Sequence, residues 1–380
     1  TGWDYHAVVI GGGQSGLATA YYLRKYGVPF VVLDAGEQPG GAWPHYWDSL
    51  TLFSRAEFSN LPGWPMPAAD GFPPRDHVVD YLTRYEQRYE LPVRRPERVE
   101  RVERVAAPGA PAGFRVLPQG ITARHVVVAT GIWSAPFIPY VPGRFTGTQL
   151  HAAQYRRPQD VAGRRIAVIG AGNSGAQIAA DLALAARKDP ALGIEAHWYT
   201  RRAPAFMPDG IDGSDLFRQN RERFLAIARG GEDPGGADFG GNIVAVPEVR
   251  RARDAGLLHA RPMVASLDEL ERAGVETIIW ATGFRPALRP VRGLPLSTPN
   301  LHVVGFDTLG GPGAGTIGGV SPFAREVARR IARDVAAASL PGRVEAGQQH
   351  LGDVLVVAQQ RQGRVEVVEL EVQRPSPSAL

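Results

Sequence analysis

The stretch YHAVVIGGGQSG, residues 5–16, sets an apolar strand against a glycine-rich turn, and RRIAVIGAGNSG, residues 164–175, repeats the arrangement. Each turn reads G-x-G-x-x-G, with Gly11, Gly13 and Gly16 in the first and Gly170, Gly172 and Gly175 in the second. Glycine supplies 45 of 380 residues, so roughly 0.6 such matches arise by chance, and a third one stands at Gly313, Gly315 and Gly318. Context separates them. After Gly16 a helical pattern runs from about Leu17 to Tyr26, and an apolar strand, Phe30 to Leu33, ends at Asp34. From the second turn a helix runs from about Ser174 to Arg187, and a strand follows at Glu195 to Thr200. Two strand–turn–helix–strand units predict an α/β fold with two Rossmann-like dinucleotide-binding domains in three layers.

The chemistry of the turns follows from geometry. The first glycine permits the tight turn, the second lets a pyrophosphate reach the backbone, and the third lets helix and strand pack closely. The helix N-terminus then offers free N–H groups and the positive end of a dipole to the phosphates. Gln14 and Ser15 lie in the first turn, Asn173 and Ser174 in the second. Asp34 can accept both hydroxyls of a ribose. The second unit carries Thr200, Arg201 and Arg202 at the equivalent strand end. An acid there repels a 2′-phosphate, whereas guanidinium groups bind it, so the second site is expected to take NADPH, with NADH the open alternative.

The remaining chain bounds the answer. Hydrophobic residues make up 44% and charged residues 21%, an ordinary globular balance. No apolar run is long enough for a membrane span and no leader pattern precedes residue 5, so a cytoplasmic protein is expected. There is no cysteine, which removes disulfides, thiolate metal sites and any dithiol relay within this chain. The net charge of +4 is spread over interleaved Arg, Glu and Asp, unlike a nucleic-acid-binding stripe. A helix capped by Asp76 should bury Val78, Leu82, Tyr85 and Tyr89. A meander over 99–105 and 113–128 ends in VVVATG, 126–131, and a strand at 275–281 ends in a second ATG, 281–283. Residues 212–229 read as a helix, 230–242 as a mobile loop and 301–305 as a strand. A helix from about Thr316 to Ala338 should turn Ala324, Val327, Ile331 and Val335 inward. The expected domains are 1–156 with 275–340, interrupted by 157–274. A C-terminal extension, 341–380, should form a hairpin of 353–359 and 364–372, serving as an added edge or a homodimer contact. No spacing marks a Ser-His-Asp set or a metal site.

Between the two units lies FTGTQLHAAQY, 145–155, which fits F-x-G-x-x-x-H-x-x-x-Y with Phe145, Gly147, His151 and Tyr155. Composition alone gives roughly 0.001 occurrences of that pattern in a chain this long. With GGGQSG, the Gly40-Gly41-x-Trp43 loop, GAGNSG and WATGF at 280–284, it makes residues 5–335 resemble the flavin-containing monooxygenases, the class B flavoprotein monooxygenases. LFSxxxxSxLPGWPMP, Leu52 to Pro67, is similar to a bacterial group that includes sulfide oxidisers and a branch encoded in arsenic-resistance operons.

The resemblance implies FAD at the first turn, contacted by Gly11, Gly13, Gln14, Ser15, Gly16, Asp34, Gly41, Trp43, Ala129 and Asp307. It implies NADPH at the second, held by Gly170, Gly172, Asn173, Ser174, Gly175, Thr200, Arg201 and Arg202. It further implies that NADPH reduces the flavin, that dioxygen forms a C4a-hydroperoxyflavin, and that a small soft nucleophile, a thioether sulfur or amine nitrogen, takes one oxygen atom. In this family His151 looks structural, and the helix near Thr316 to Ser321 points its N-terminus at the flavin. Trp43, Trp47, Phe53 and Trp64 are candidates for the cavity wall, with core packing the other reading for Trp64. Many members carry an Asn where Phe53 stands, so a short-lived hydroperoxide is expected here. Ketone oxygenation of the Baeyer–Villiger type and a nucleotide-binding flavoprotein sensor remain as alternatives. The thioredoxin reductase type needs a cysteine pair that this chain does not have.

Overall fold

A computed structural model describes residues 2–106, 112–235, 243–311, 313–338, 354–361 and 364–371. The elements run β1 (Tyr5–Ile10), α1 (Gln14–Lys25), β2 (Phe30–Leu33), α2 (Arg75–Arg88), β3 (Val93–Arg94), β4 (Arg101–Val105), β5 (Gly113–Leu117) and β6 (Ile121–Val128). Next come β7 (Thr148–His151), β8 (Arg165–Ile169), α3 (Asn173–Lys188), β9 (Glu195–Thr200), α4 (Gly213–Ala228), α5 (Pro247–Asp254), β10 (Ala260–Pro262), α6 (Leu267–Arg272) and β11 (Thr277–Trp280). The chain continues through β12 (Leu301–Val303), α7 (Asp307–Gly310), α8 (Ser321–Ala338), β13 (Val354–Arg361) and β14 (Arg364–Glu371).

Two sheets carry the fold. The first is ordered β3-β2-β1-β6-β5-β4, with β12 also on β6. β6 serves three neighbours because it is long. Ile121–Ala123 pair antiparallel with β5, and Val126–Val128 pair parallel with β12. The second sheet, β10-β9-β8-β11-β7, is parallel throughout. Its five strands repeat the order β3-β2-β1-β6-β12 of the first. The later parts of both central strands, 7–10 and 166–169, read as continuous apolar runs because both faces are covered. Ala7 and Val9 of β1 join a core with α1, α2 and α8, while Val8 and Ile10 join one with the meander. Likewise Ile166 and Val168 of β8 face α3, and Ala167 and Ile169 face α6.

The expected α/β class and the two glycine-turn units are present. Several details differ. The second sheet reaches outside 157–274, drawing β7 and β11 from 148–151 and 277–280. Pro74 rather than Asp76 stands at the N-cap of α2, because Asp76 already sits in the first turn and pairs with Arg75 at 2.9 Å. α8 starts at Ser321, not near Thr316. The Thr316 hydroxyl donates to the Gly313 carbonyl and accepts the Gly319 N–H, which holds the segment as turns. Of its expected inward residues, Ala324 and Ile331 are buried with Ala328, and Val327 and Val335 are partly buried. β13 and β14 form a separate antiparallel pair. The proposed loop 230–242 lies mostly, over 236–242, outside the described residues. No described helix is long and apolar enough to cross a membrane.

Candidate functional site

At the carboxyl end of β1 the chain leaves Ile10 and turns through Gly11, whose φ is +110°. A Cβ on Gly11 would lie 2.3 Å from the Ala129 carbonyl oxygen, and one on Gly16 would lie 1.8 Å from the Gly11 oxygen. Strand, turn and helix are therefore pressed together with no room for a side chain. α1 starts at a glycine N-cap with no side-chain cap and no acidic residue in its first turn. Its leading N–H groups are left for a ligand. The loop behind it approaches as closely: a Cβ on Gly41 would stand 2.8 Å from Gly13 Cα. Trp43 Nε1 donates to Gln14 Oε1 at 2.8 Å, and Gln14 Nε2 donates to the Gly315 carbonyl at 3.0 Å. Asp307 closes the ring, its Oδ1 accepting the Gly315 N–H at 2.8 Å.

Asp34 is buried at the end of β2. Arg95 Nε donates to its Oδ2 at 2.6 Å, and the same guanidinium holds Glu86 through two bonds of 2.7 Å. Among the described residues, Asp34 Oδ1 has only the long 3.4 Å contact from Gly36 N–H. One oxygen is thus anchored and the other is available to a ribose hydroxyl.

The second turn copies the first. A Cβ on Gly170 would lie 2.0 Å from the Ala281 oxygen, and one on Gly175 2.1 Å from the Gly170 oxygen, whereas Gly172 faces open space. α3 too has a glycine N-cap, no side-chain cap and no acid in its first turn. By contrast α4 and α6 carry complete capping boxes, from Asp212 with Asp215 and from Ser266 with Glu269. Asn173 is turned aside, its Oδ1 accepting the Val244 N–H at 2.9 Å. Ser174 sits beside it in the first turn of α3. At the end of β9, Thr200 is buried, while Arg201 and Arg202 are exposed and make no ion pair among the described residues.

The segment 145–155 joins the two units. Phe145 packs beneath Gly147, where a Cβ would meet its ring at 2.7 Å. Thr148 to His151 form edge strand β7. His151 is 2% exposed. Its Nδ1 accepts the Ala153 N–H at 3.1 Å, so Nε2 carries the proton and donates to the Gly283 carbonyl at 2.9 Å. Burial lowers its pKa, against the opposing pull of the Gly283 carbonyl. Both nitrogens are committed, so the ring is a clasp and not a free base. Tyr155 donates to Asp181 Oδ2 at 2.6 Å; burial first, then the Asp181 charge, raise the phenol pKa. Burial raises the Asp181 pKa as well.

Two crossings connect the sheets and bond to each other. Thr130 Oγ1 donates to the Ala287 carbonyl at 2.7 Å, and Thr282 Oγ1 donates to that of Phe137 at 2.5 Å. These are the threonines of the two ATG motifs. Aromatic rings line the same region: Trp43 to Tyr46 at 5.3 Å, Tyr46 to Trp133 at 4.6 Å, Trp133 to Phe284 at 5.6 Å and Phe284 to His151 at 4.8 Å. Burial pushes the Tyr46 phenol up to about 12.

Four aromatic candidates separate. Trp43 stands at the first turn. Trp47 is buried in the core of the second sheet, and Trp64 packs on Tyr81 under the cations of Arg84 and Arg88. Phe53 lies under the start of α4, its carbonyl accepting the Gly213 N–H at 2.6 Å and its ring 6.2 Å from Phe217. Arg95, Tyr46, Trp133 and the two ATG threonines escaped the sequence reading. The repeated ATG was the available signal for the threonines.

The family model described as pyridine nucleotide-disulphide oxidoreductase matches residues 8–204. A solved flavin monooxygenase from Stenotrophomonas maltophilia, in a doubly substituted form, is 39% identical. That match covers 87% of this chain and 99% of the other, with a TM-score of 0.72. The uncharacterized oxidoreductase CzcO of Bacillus subtilis (strain 168) is 32% identical over 47% of this chain and 52% of its own length. Indole-3-pyruvate monooxygenase YUCCA1 of Oryza sativa subsp. japonica is 35% identical over 47% of this chain and 45% of its own. The chain thus spans about half the length of these two curated relatives.

Proposed function

Since this chain belongs to the flavin monooxygenases within the pyridine nucleotide-disulphide oxidoreductase family, we propose that it is an FAD- and NADPH-dependent monooxygenase of thioethers or amines. The observation that carries this reading is the pair of uncapped, acid-free helix starts with opposite charge at the following strand ends. FAD fits the first turn: the Gly13–Gly41 approach leaves backbone where a pyrophosphate would lie, and Asp34 Oδ1 is available to the ribose. NADPH fits the second: Gly172 is open, α3 is uncapped, and Arg201 and Arg202, exposed and without an ion pair among the described residues, are cations for a 2′-phosphate.

When bound, the flavin accepts hydride from the nicotinamide and activates dioxygen for transfer of one oxygen atom. The protein's own part is binding and exclusion. α1 and α3 would hold the two pyrophosphates against their N–H groups. Trp43, Tyr46 and Trp133 form an aromatic wall that keeps water out of the space between the units. Tyr46, with its pKa near 12, stays protonated at neutral pH and serves as a donor, not a base. His151 keeps the crossings in register. A thioether sulfur already carries a free lone pair, so its oxygenation would need no general base from the protein, whereas an amine would have to enter in its neutral form.

The test is turnover of the holoenzyme with a thioether under ¹⁸O-labelled dioxygen. Sulfoxide carrying one ¹⁸O atom, with NADPH preferred to NADH, is the expected result. Flavin that NADPH does not bleach would overturn the reading in favour of a sensor. Esters from ketones with no sulfoxide would move it to the Baeyer–Villiger class.

A further inference from the structure

Away from both dinucleotide turns, four side chains from four elements converge on one end of the first sheet. His6 stands on β1, His125 on β6, His302 on β12 and Asp334 on α8. His125 Nε2 lies 2.8 Å from Asp334 Oδ2, and His125 Nδ1 lies 3.1 Å from His302 Nε2. His6 Nε2 is 3.8 Å from the same carboxylate oxygen. The His6 side chain is 10% exposed, and its Nε2 is buried without a hydrogen-bond partner among the described residues. A buried imidazole nitrogen left unbonded carries a desolvation cost that an occupant would relieve.

We propose that His6, His125 and Asp334 bind one Zn²⁺-type divalent cation that ties β1 and β6 to α8. The three donor atoms lie within 4.8 Å of one another, close enough to share a single ion after small side-chain shifts. Two neutral imidazoles and a carboxylate are a borderline donor set, matched to zinc with water in the fourth position. Burial lowers the pKa of both His6 and His125, which leaves their lone pairs available near neutral pH. His302 completes the outer shell. With the metal on His125 Nε2, the imidazole proton sits on Nδ1 and donates to His302 Nε2. Arg124 opposes the ion, since its Nε donates to Asp334 Oδ2 at 3.1 Å. The second carboxylate oxygen can take that guanidinium, whose charge should weaken the ion's binding.

The experiment titrates the FAD-loaded, chelator-washed protein with Zn²⁺ and with Co²⁺. One equivalent of zinc per flavin and the visible bands of four-coordinate cobalt are expected. His6→Phe and Asp334→Asn should each weaken binding at least tenfold, while His259→Ala, at an exposed histidine, should not. Should either variant lose flavin through misfolding, the wild-type cobalt spectrum still decides. Absence of the four-coordinate bands, or stoichiometric zinc that survives both ligand variants, would overturn the proposal. So would zinc lost equally from His259→Ala.

Discussion

Arg201 and Arg202 are exposed cations without partners among the described residues, whereas Asp34 is buried and paired. The two sites therefore differ most at single residues. A charge-assisted hydrogen bond contributes about 1.5–3 kcal/mol, which solvent at an exposed site cuts to about 1 kcal/mol. Each of Arg201→Ala and Arg202→Ala should accordingly raise KM for NADPH about fivefold and leave that for NADH unchanged. Equal effects on both nucleotides would remove the arginines from the phosphate site. Arg95 poses the opposite problem. It joins Asp34 and Glu86 with little exposure, so Arg95→Met strands two carboxylates. The expected cost is about 3–5 kcal/mol in urea unfolding, with loss of retained FAD. A cost below about 1 kcal/mol would contradict the assignment. Asp34, Arg201 and Arg202 were legible as positions because each lies just past the second strand of a glycine-turn unit. Arg95 was not, since it reaches Asp34 across 61 residues.

Among helices, the contrast lies at the first turn. α4 and α6 cap themselves, and α1 and α3 do not. If their free N–H groups serve phosphates, a built-in cap should trade binding for stability. Gly172 is the place to test this, because its φ of −96° suits any residue and an added Cβ meets nothing within 4 Å. Gly172→Asp should stabilise the unliganded protein by roughly a few tenths of a kcal/mol. It should also abolish NADPH reduction of the flavin by setting a carboxylate where the pyrophosphate belongs. A variant destabilised in its unliganded form, or one still reduced at the wild-type rate, would count against that role. The long elements were readable for a related reason. α2 and α8 repeat apolar residues over several turns, and β1 and β8 end in apolar runs, 7–10 and 166–169, before glycine. β3, β7 and β10 hold two to four residues each. Such short strands carry no period; only parallel pairing with a longer neighbour makes them strands. Hence the 145–155 segment was recognisable as a pattern, while its strand at the edge of the second sheet was not.

At the scale of the whole molecule, the two sheets share one strand order, and β7 occupies beside β11 the place that β12 takes beside β6. The duplication visible in the glycines thus extends to five strands. It leaves two crossings between the units, locked by Thr130, Thr282 and His151. The His151 lock is conditional on pH. Its ring accepts the Ala153 N–H, and protonation turns that acceptor into a donor facing another donor. Burial sets its folded pKa below the ordinary 6.5. Below 6.5 the unfolded chain therefore binds more protons at this position than the folded one. Its contribution to stability is complete above 6.5 and is lost as pH falls toward and through the folded pKa, at no more than about 1.4 kcal/mol per pH unit. His151→Gln keeps one donor and one acceptor but does not titrate. Urea midpoints compared between pH 7.5 and 5.5 should fall more steeply for the wild type than for this variant, whatever the other histidines contribute to both. Over the same interval, wild-type NADPH oxidation should become less coupled to oxygenation, because loosened crossings let the two units drift out of register. Parallel pH slopes in the two proteins would mean that His151 holds the crossings without sensing acid.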